Sequence, residues 1–139
     1  MINIAIDGPA GAGKSTIAKK VSKELGFIYV DTGALYRTVG LNVLRQGKDT
    51  KSVEDVVPTL EGIKVSLRFI DGEQRVFLGE EDVSEAIRQN EVSMAASNVS
   101  AIPQVREFLF SLQRNIAAEN NCIMDGRDIG TVVLPDAQI

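Results

Sequence analysis

The sequence contains no histidine. A Ser/His or Cys/His pair for nucleophilic catalysis therefore cannot be assembled within it. Its single cysteine, Cys122, excludes an internal disulfide framework and a cysteine-ligated zinc site. Cys122 sits in an apolar stretch and reads as a buried, inert thiol. No apolar run approaches the roughly 18 residues of a membrane-spanning helix, so no membrane partner is expected. The opening Met-Ile-Asn-Ile-Ala-Ile-Asp has no basic residue ahead of its apolar ones and does not read as a signal peptide. Aromatic residues make up only 5% of the chain and the net charge is -4, which together argue against a nucleic-acid surface. Cytoplasmic residence is the expectation.

What is present fits one domain or part of one. The length is 139 residues, with 44% hydrophobic and 24% charged, an ordinary balance for a globular chain. Ile2 to Asp7 is short and apolar and predicts a buried parallel strand. Ile17, Ala18, Val21 and Leu25 then recur at helical spacing, with Gly26 as the stop. Phe27 to Val30 predicts a second strand. Leu35 to Gln46 predicts a helix with Leu35, Val39 and Val43 on one stripe, ending at Gly47. This alternation implies a parallel sheet covered by helices.

The pattern changes in the middle of the chain. Ser52 is placed to cap a short helix, with Asp55 completing a capping box. Ile63, Val65, Leu67 and Phe69 alternate with more polar residues, Asp71-Gly72 signals a tight turn, and Val76 and Leu78 continue beyond it. That predicts an antiparallel hairpin, inserted into the α/β core at about residues 60–90. Helical pattern resumes over Glu91 to Ser100. Pro103 fits the first turn of another helix, whose buried stripe is Val105, Phe108, Leu109, Leu112 and Ile116. Cys122 to Asp125 predicts a third core strand, followed by Gly126-Arg127-Asp128. Three core strands make a thin sheet, and the expectation is an incomplete domain.

Gly8, Gly13, Lys14 and Ser15 match the spacing of a phosphate loop. The segment Gly8, Pro9, Ala10, Gly11, Ala12, Gly13, Lys14, Ser15, Thr16 lies where such a loop must lie, between a predicted strand and a predicted helix. Small residues let backbone N–H groups approach phosphate oxygens, and the following helix presents its positive end. Lys14 supplies a charge near the β- and γ-phosphates, and the Ser15 hydroxyl is a ligand for Mg²⁺. Thr16 either touches a phosphate or is an ordinary first-turn residue. Other candidates follow the remaining strands, because ligands of open α/β sheets gather beyond the carboxyl ends. Arg37 is either a clamp on a second phosphate or a solvated arginine. Arg127 is placed to neutralise a transferring phosphoryl group. Asp128 alone reads equally as a cap or turn residue. Ser97 and Arg106, taken alone, read as a helical serine and a surface arginine.

Together these segments resemble the bacterial cytidylate kinases. The resemblance is carried by Ile-Asp-Gly-Pro-Ala-Gly-Ala-Gly-Lys-Ser-Thr at 6–16, Asp-Thr-Gly-Ala-Leu-Tyr-Arg at 31–37, Val-Arg at 105–106 and Asp-Gly-Arg-Asp-Ile-Gly-Thr-Val-Val at 125–133. It implies a P-loop nucleoside monophosphate kinase-like α/β fold, with residues 1–139 a partial core and the hairpin part of an inserted monophosphate-binding region. It implies transfer of the ATP γ-phosphoryl group to CMP or dCMP with Mg²⁺. Gly8 to Thr16 would hold the ATP phosphates, with Ser15 on the metal. Thr32 and Arg37 would sit at the acceptor, Ser97, Arg106 and Asp128 would read the cytosine edge, and Arg127 would touch the acceptor phosphate. Lys14, Arg37 and Arg127 would be the catalytic cations. Members of this family continue into another strand, an arginine-bearing lid and a C-terminal part, and at full length a monomer is expected. Weak or no turnover is the expectation for the 139-residue chain by itself. Another acceptor, UMP or AMP, and a non-catalytic nucleotide-binding module are the alternatives.

Overall fold

A computed structural model describes residues 2–7, 14–70 and 73–126. Its elements, in chain order, are β1 (Asn3–Asp7), α1 (Lys14–Leu25), β2 (Ile28–Val30), α2 (Thr32–Arg45), α3 (Val53–Thr59), β3 (Val65–Ile70), β4 (Glu73–Leu78), β5 (Glu81–Asp82), α4 (Asn90–Ser100), α5 (Pro103–Glu119) and β6 (Cys122–Gly126). They fall into two compact units, residues 1–31 with 110–139, and residues 32–109. Among the described residues, no helix is long and apolar enough to cross a membrane.

The first unit holds the parallel sheet that the alternation predicts. Its strand order is β1-β6-β2, with β6, the last of the described strands, at the centre. Asn3 pairs with Cys122 and Asp7 with Gly126, while Ile28 also pairs with Cys122. Cys122 and Ile123 are fully buried, as residues of a central strand covered on both faces should be. Ala18 of α1 and Tyr29 of β2 pack with Ile123, and Ile4, Val21 and Phe27 close around them. Burial pushes the Cys122 thiol up to about 11, which keeps it protonated and unreactive. The stop after α1 is where the sequence puts it: Gly26 adopts φ +69°, a conformation that costs glycine least. Phe27 N–H then donates to Ser22 O at 3.0 Å, and the Ser22 hydroxyl donates to Phe27 O. One expectation fails here. Leu25 has the spacing of the apolar stripe but is 54% exposed, because it lies in the last turn of α1.

The second unit is built on α2. Leu35, Val39 and Val43 are fully buried, the stripe the spacing predicts. The helix begins at Thr32, three residues before that stripe. Against it packs α4, at a distance set by glycine: a Cβ on Gly40 would stand 2.9 Å from the Ala95 Cβ and 3.0 Å from the Ala96 backbone nitrogen. Asn98 Nδ2 donates to Thr50 Oγ1 at 3.0 Å, tying α4 to the segment after α2.

Ser52 caps α3, accepting from Asp55 N–H at 3.3 Å. The other half of the expected capping box does not form. The Asp55 carboxylate accepts instead from Asp49 N–H at 3.0 Å, since Ser52 N–H is already donated to Asp49 O.

The hairpin is antiparallel, with Ile70 opposite Glu73, which leaves the two residues Asp71 and Gly72 as its connection, outside the described residues. Val65, Leu67, Val76 and Phe77 are buried, whereas Phe69, near the turn, is 40% exposed. A short strand that the sequence does not announce, β5, extends the sheet by pairing with β4. It is polar and is held by side chains: Arg75 Nε donates to Asp82 Oδ2 at 2.8 Å, and Ser84 N–H to Asp82 Oδ1 at 3.0 Å. These bonds, Arg75 foremost, hold the Asp82 carboxyl down at about 2.

Candidate functional site

In the first unit, β1 and β6 end level with each other. The last described backbone pairing joins Asp7 to Gly126. α1 begins at Lys14. Lys14, Ser15 and Thr16 therefore form its first turn, where backbone N–H groups lack intrahelical partners and the helix dipole favours an anion. No acidic residue occupies that turn to compete for the role. The side chains of these three residues lie outside the described part of the structure. So do Gly8, Pro9, Ala10, Gly11, Ala12 and Gly13, and, beyond β6, Arg127 and Asp128.

In the second unit, Thr32 is the first residue of α2 and Arg37 lies in its second turn, both half-buried. Ser97 is an exposed residue of α4, flanked by buried Ala95 and Val99. It stands on the solvent side of a helix whose other side packs on α2. Arg106, in the first turn of α5, is exposed between buried Ile102 and Leu109. Its charge is felt on α2. Burial raises the pKa of the Tyr36 hydroxyl, and the Arg106 guanidinium is close enough to offset part of that rise. Thr32, Arg37, Ser97 and Arg106 thus sit on three helices of one unit. Tyr36 carries no signal in the sequence beyond its place in the 31–37 segment.

The arginines of this unit divide by their partners. Arg45 forms a bidentate pair with Glu81, at 2.7 and 2.9 Å. Arg75 is ringed by Glu73, Asp82 and Glu85, and Arg88 pairs with Glu85. The Arg68 guanidinium covers the Phe77 ring, 4.4 Å from its centroid. Arg37 and Arg106 have no acidic partner among the described residues. A guanidinium without a carboxylate retains its donor fork for an external acceptor such as a phosphate or a base edge.

The comparisons with known proteins agree on one family. A family model described as cytidylate kinase matches residues 4–139. The cytidylate kinase of Caldicellulosiruptor saccharolyticus is 53% identical over 138 residues, covering 99% of this chain and 61% of that protein. That of Caldanaerobacter subterraneus subsp. tengcongensis is 58% identical over 137 residues, covering 99% and 59%. That of Streptococcus gordonii is 51% identical over 139 residues, covering 99% and 62%. This chain spans about three fifths of the length of the curated relatives it matches.

Proposed function

The chain belongs to the cytidylate kinase family, and from that premise we propose that this protein transfers the γ-phosphoryl group of ATP to CMP or dCMP, giving ADP and the nucleoside diphosphate. The observation that carries the reading is the join of β1 to α1. The glycine-rich segment follows a strand ending at Asp7 and runs into a helix opening at Lys14, the context a phosphate loop requires. Gly8 to Thr16 bind the ATP phosphates. Lys14, Arg37 and Arg127 counter the charge of the transferring group. Thr32, Arg37, Ser97, Arg106, Arg127 and Asp128 bind the acceptor. That Arg37 and Arg106 have no acidic partner among the described residues supports their two assignments. The antiparallel sheet of residues 65–82 belongs to the monophosphate-binding region of about 60–90.

A CMP phosphate oxygen is already anionic and nucleophilic at neutral pH, so the reaction needs no general base. The work left to the protein is alignment and electrostatic stabilisation. A chain without histidine is equipped for that. The donor set suits Mg²⁺: the Ser15 hydroxyl is a hard oxygen at the head of α1, the kind of ligand this ion takes beside phosphate oxygens. Bound there, the ion supplies charge neutralisation on the phosphates. The enzyme on this reading is a cytoplasmic monomer acting on two small nucleotides.

The test is single-turnover transfer from γ-labelled ATP to CMP, dCMP, UMP and AMP. It is run on this chain and on this chain extended by the C-terminal segment of one of the relatives. Preferred transfer to CMP or dCMP is expected. Preference for UMP or AMP would remove the cytosine roles of Ser97, Arg106 and Asp128. Binding without transfer in both proteins would make the chain a nucleotide-binding module.

A further inference from the structure

Gln113 is a polar residue in an apolar place. From Phe110 onward α5 belongs to the unit of the parallel sheet, and the buried residues of that half are Gln113, Ile116 and Ala117. Residues three and four apart share a helix face, so Gln113 continues the buried stripe. It is 1% exposed, and its amide oxygen has no hydrogen-bond partner among the described residues. A buried acceptor without a donor lowers stability, and an apolar side chain of similar size would avoid that loss.

The sheet fixes where this amide lies. Asn121, in the link between α5 and β6, is tied to both outer strands. Its side-chain oxygen accepts from the N–H of Ile2, just before β1, at 2.8 Å. Its backbone oxygen accepts from the N–H of Ile28, the first residue of β2, at 2.9 Å. The link is thus held at the amino ends of the strands, and α5 descends to it from the side of their carboxyl ends. Gln113 stands about 9 Å before Glu119 along the helix axis, while β6 from Cys122 to Gly126 is about 13 Å long. The amide is therefore level with the second half of β6. The steps from β1 to β2 and from β2 to β6 cross the sheet in opposite directions, so right-handed connections put α1 and α5 on opposite faces. α1 takes the Ile123 side. Cys122, which alternates to the other side, is also fully buried, as cover by α5 requires. Gln113 thus lies under the half of β6 that leads to the strand's carboxyl end, the end at which ligands of such sheets bind.

On the function argued above, we propose that Gln113 is a positioning residue for the carboxyl end of β6, its amide oxygen accepting an N–H there when the acceptor nucleotide binds. β6 leads into Arg127 and Asp128, both assigned above to the acceptor. The free chain carries the unpaired oxygen as a loss of stability, and CMP binding offsets that loss by bringing a donor to it. Gln113 itself touches no nucleotide and acts through the strand.

Calorimetric titration with CMP and ATP, and thermal melting without nucleotide, test this on the wild type and on Gln113→Met, which keeps the volume and removes the acceptor. Gln113→Met should melt at or above the wild-type temperature, yet bind CMP about 3- to 10-fold more weakly, the scale of one neutral hydrogen bond. ATP affinity should not change. Unchanged CMP affinity would overturn the proposal and leave Gln113 a plain defect of the core. A lowered melting temperature with CMP and ATP affinities falling together would do the same, since that is the mark of a structural role. A second measurement needs no stable variant. In the wild type, the resonance of the isotope-labelled Gln113 side-chain carbonyl should move downfield when CMP is added, as a carbonyl does on accepting a hydrogen bond. A resonance unmoved at saturating CMP would refute the role. A chain that binds ATP but no monophosphate would instead remove the acceptor reading, and this role for Gln113 with it.

Discussion

Gly40 of α2 and Ala95 of α4 meet with no room for another methyl group between them. The clearances of 2.9 Å to the Ala95 Cβ, 3.0 Å to the Ala96 nitrogen and 3.1 Å to the Ala95 carbonyl carbon leave only hydrogen at this position. Glycine in a helix interior costs about 1 kcal/mol relative to alanine. Here the close approach of two helix backbones offsets that cost, because packed interiors gain from every atom in contact.

Gly40→Val should therefore destabilise the protein by about 1–3 kcal/mol, the usual range for overpacking. The nearest obstacles include backbone atoms, which have no rotamer to move into. Gly40→Ala should lose less, since its better helix propensity returns up to about 1 kcal/mol. Urea unfolding followed by far-ultraviolet circular dichroism measures both. A Gly40→Val variant as stable as the wild type would show that the seam yields freely.

Asp82 gives a prediction that depends on pH. Its carboxyl is held at about 2, against an ordinary 3.8, by the Arg75 side chain first and then by Ser84. The folded state thus favours the charged form. That stabilisation is fully present above the ordinary pKa, and it is lost as pH falls through about 2. Asp82→Asn should lower the melting temperature at pH 6, and the gap from wild type should shrink steadily below pH 4, as the linkage requires. The pair is solvent-exposed, so added salt should also narrow the gap. A gap independent of pH would mean that the carboxylate charge is not what holds β5.

These two sites also show where sequence reading reaches its limit. The parallel strands, the stop at Gly26, the cap at Ser52, the hairpin register and the Pro103 start were legible, because each is encoded in a few neighbouring residues. The Gly40–Ala95 seam was not, since its two halves lie on different helices and neither has an unusual neighbourhood. β5 was not, because two acidic residues carry no strand signal and Arg75 supplies the reason they pair. Asp55 was half legible: its spacing from Ser52 gave the cap, and only the fold of the 49–52 turn shows which N–H its carboxylate takes. Leu25 had the period but not the burial, since periodicity cannot say where a helix runs out of partner. In the candidate site, the proposed phosphate loop rests on a local spacing, Gly8 to Ser15, that the sequence carries by itself. Ser97 and Arg106 have no such signal. An exposed helical serine and a surface arginine look the same whether or not a ligand meets them, and only the likeness to a family singled them out.

The proposed acceptor site separates into a phosphate end and a base end, and two single substitutions should separate them in experiment. Arg37 is a half-buried arginine without an acidic partner among the described residues. Its loss should be felt by the phosphate. Arg37→Ala should weaken CMP binding by roughly 10- to 100-fold, the scale of a charge-assisted hydrogen bond. It should leave the far weaker binding of the nucleoside cytidine unchanged. Ser97 offers only a neutral hydroxyl on the open side of α4. Ser97→Ala should cost CMP about 2- to 10-fold, as a neutral hydrogen bond does. It should cost cytidine by the same factor, since the base is common to both ligands. Arg37→Lys should recover only part of the loss, because an ammonium cannot reproduce the planar fork. Competition against a fluorescent cytidine nucleotide measures all of these on one scale. If Arg37→Ala weakened cytidine as much as CMP, its role would lie in the fold or at the base. The division of the site would then fail at its phosphate end, whatever Ser97 does.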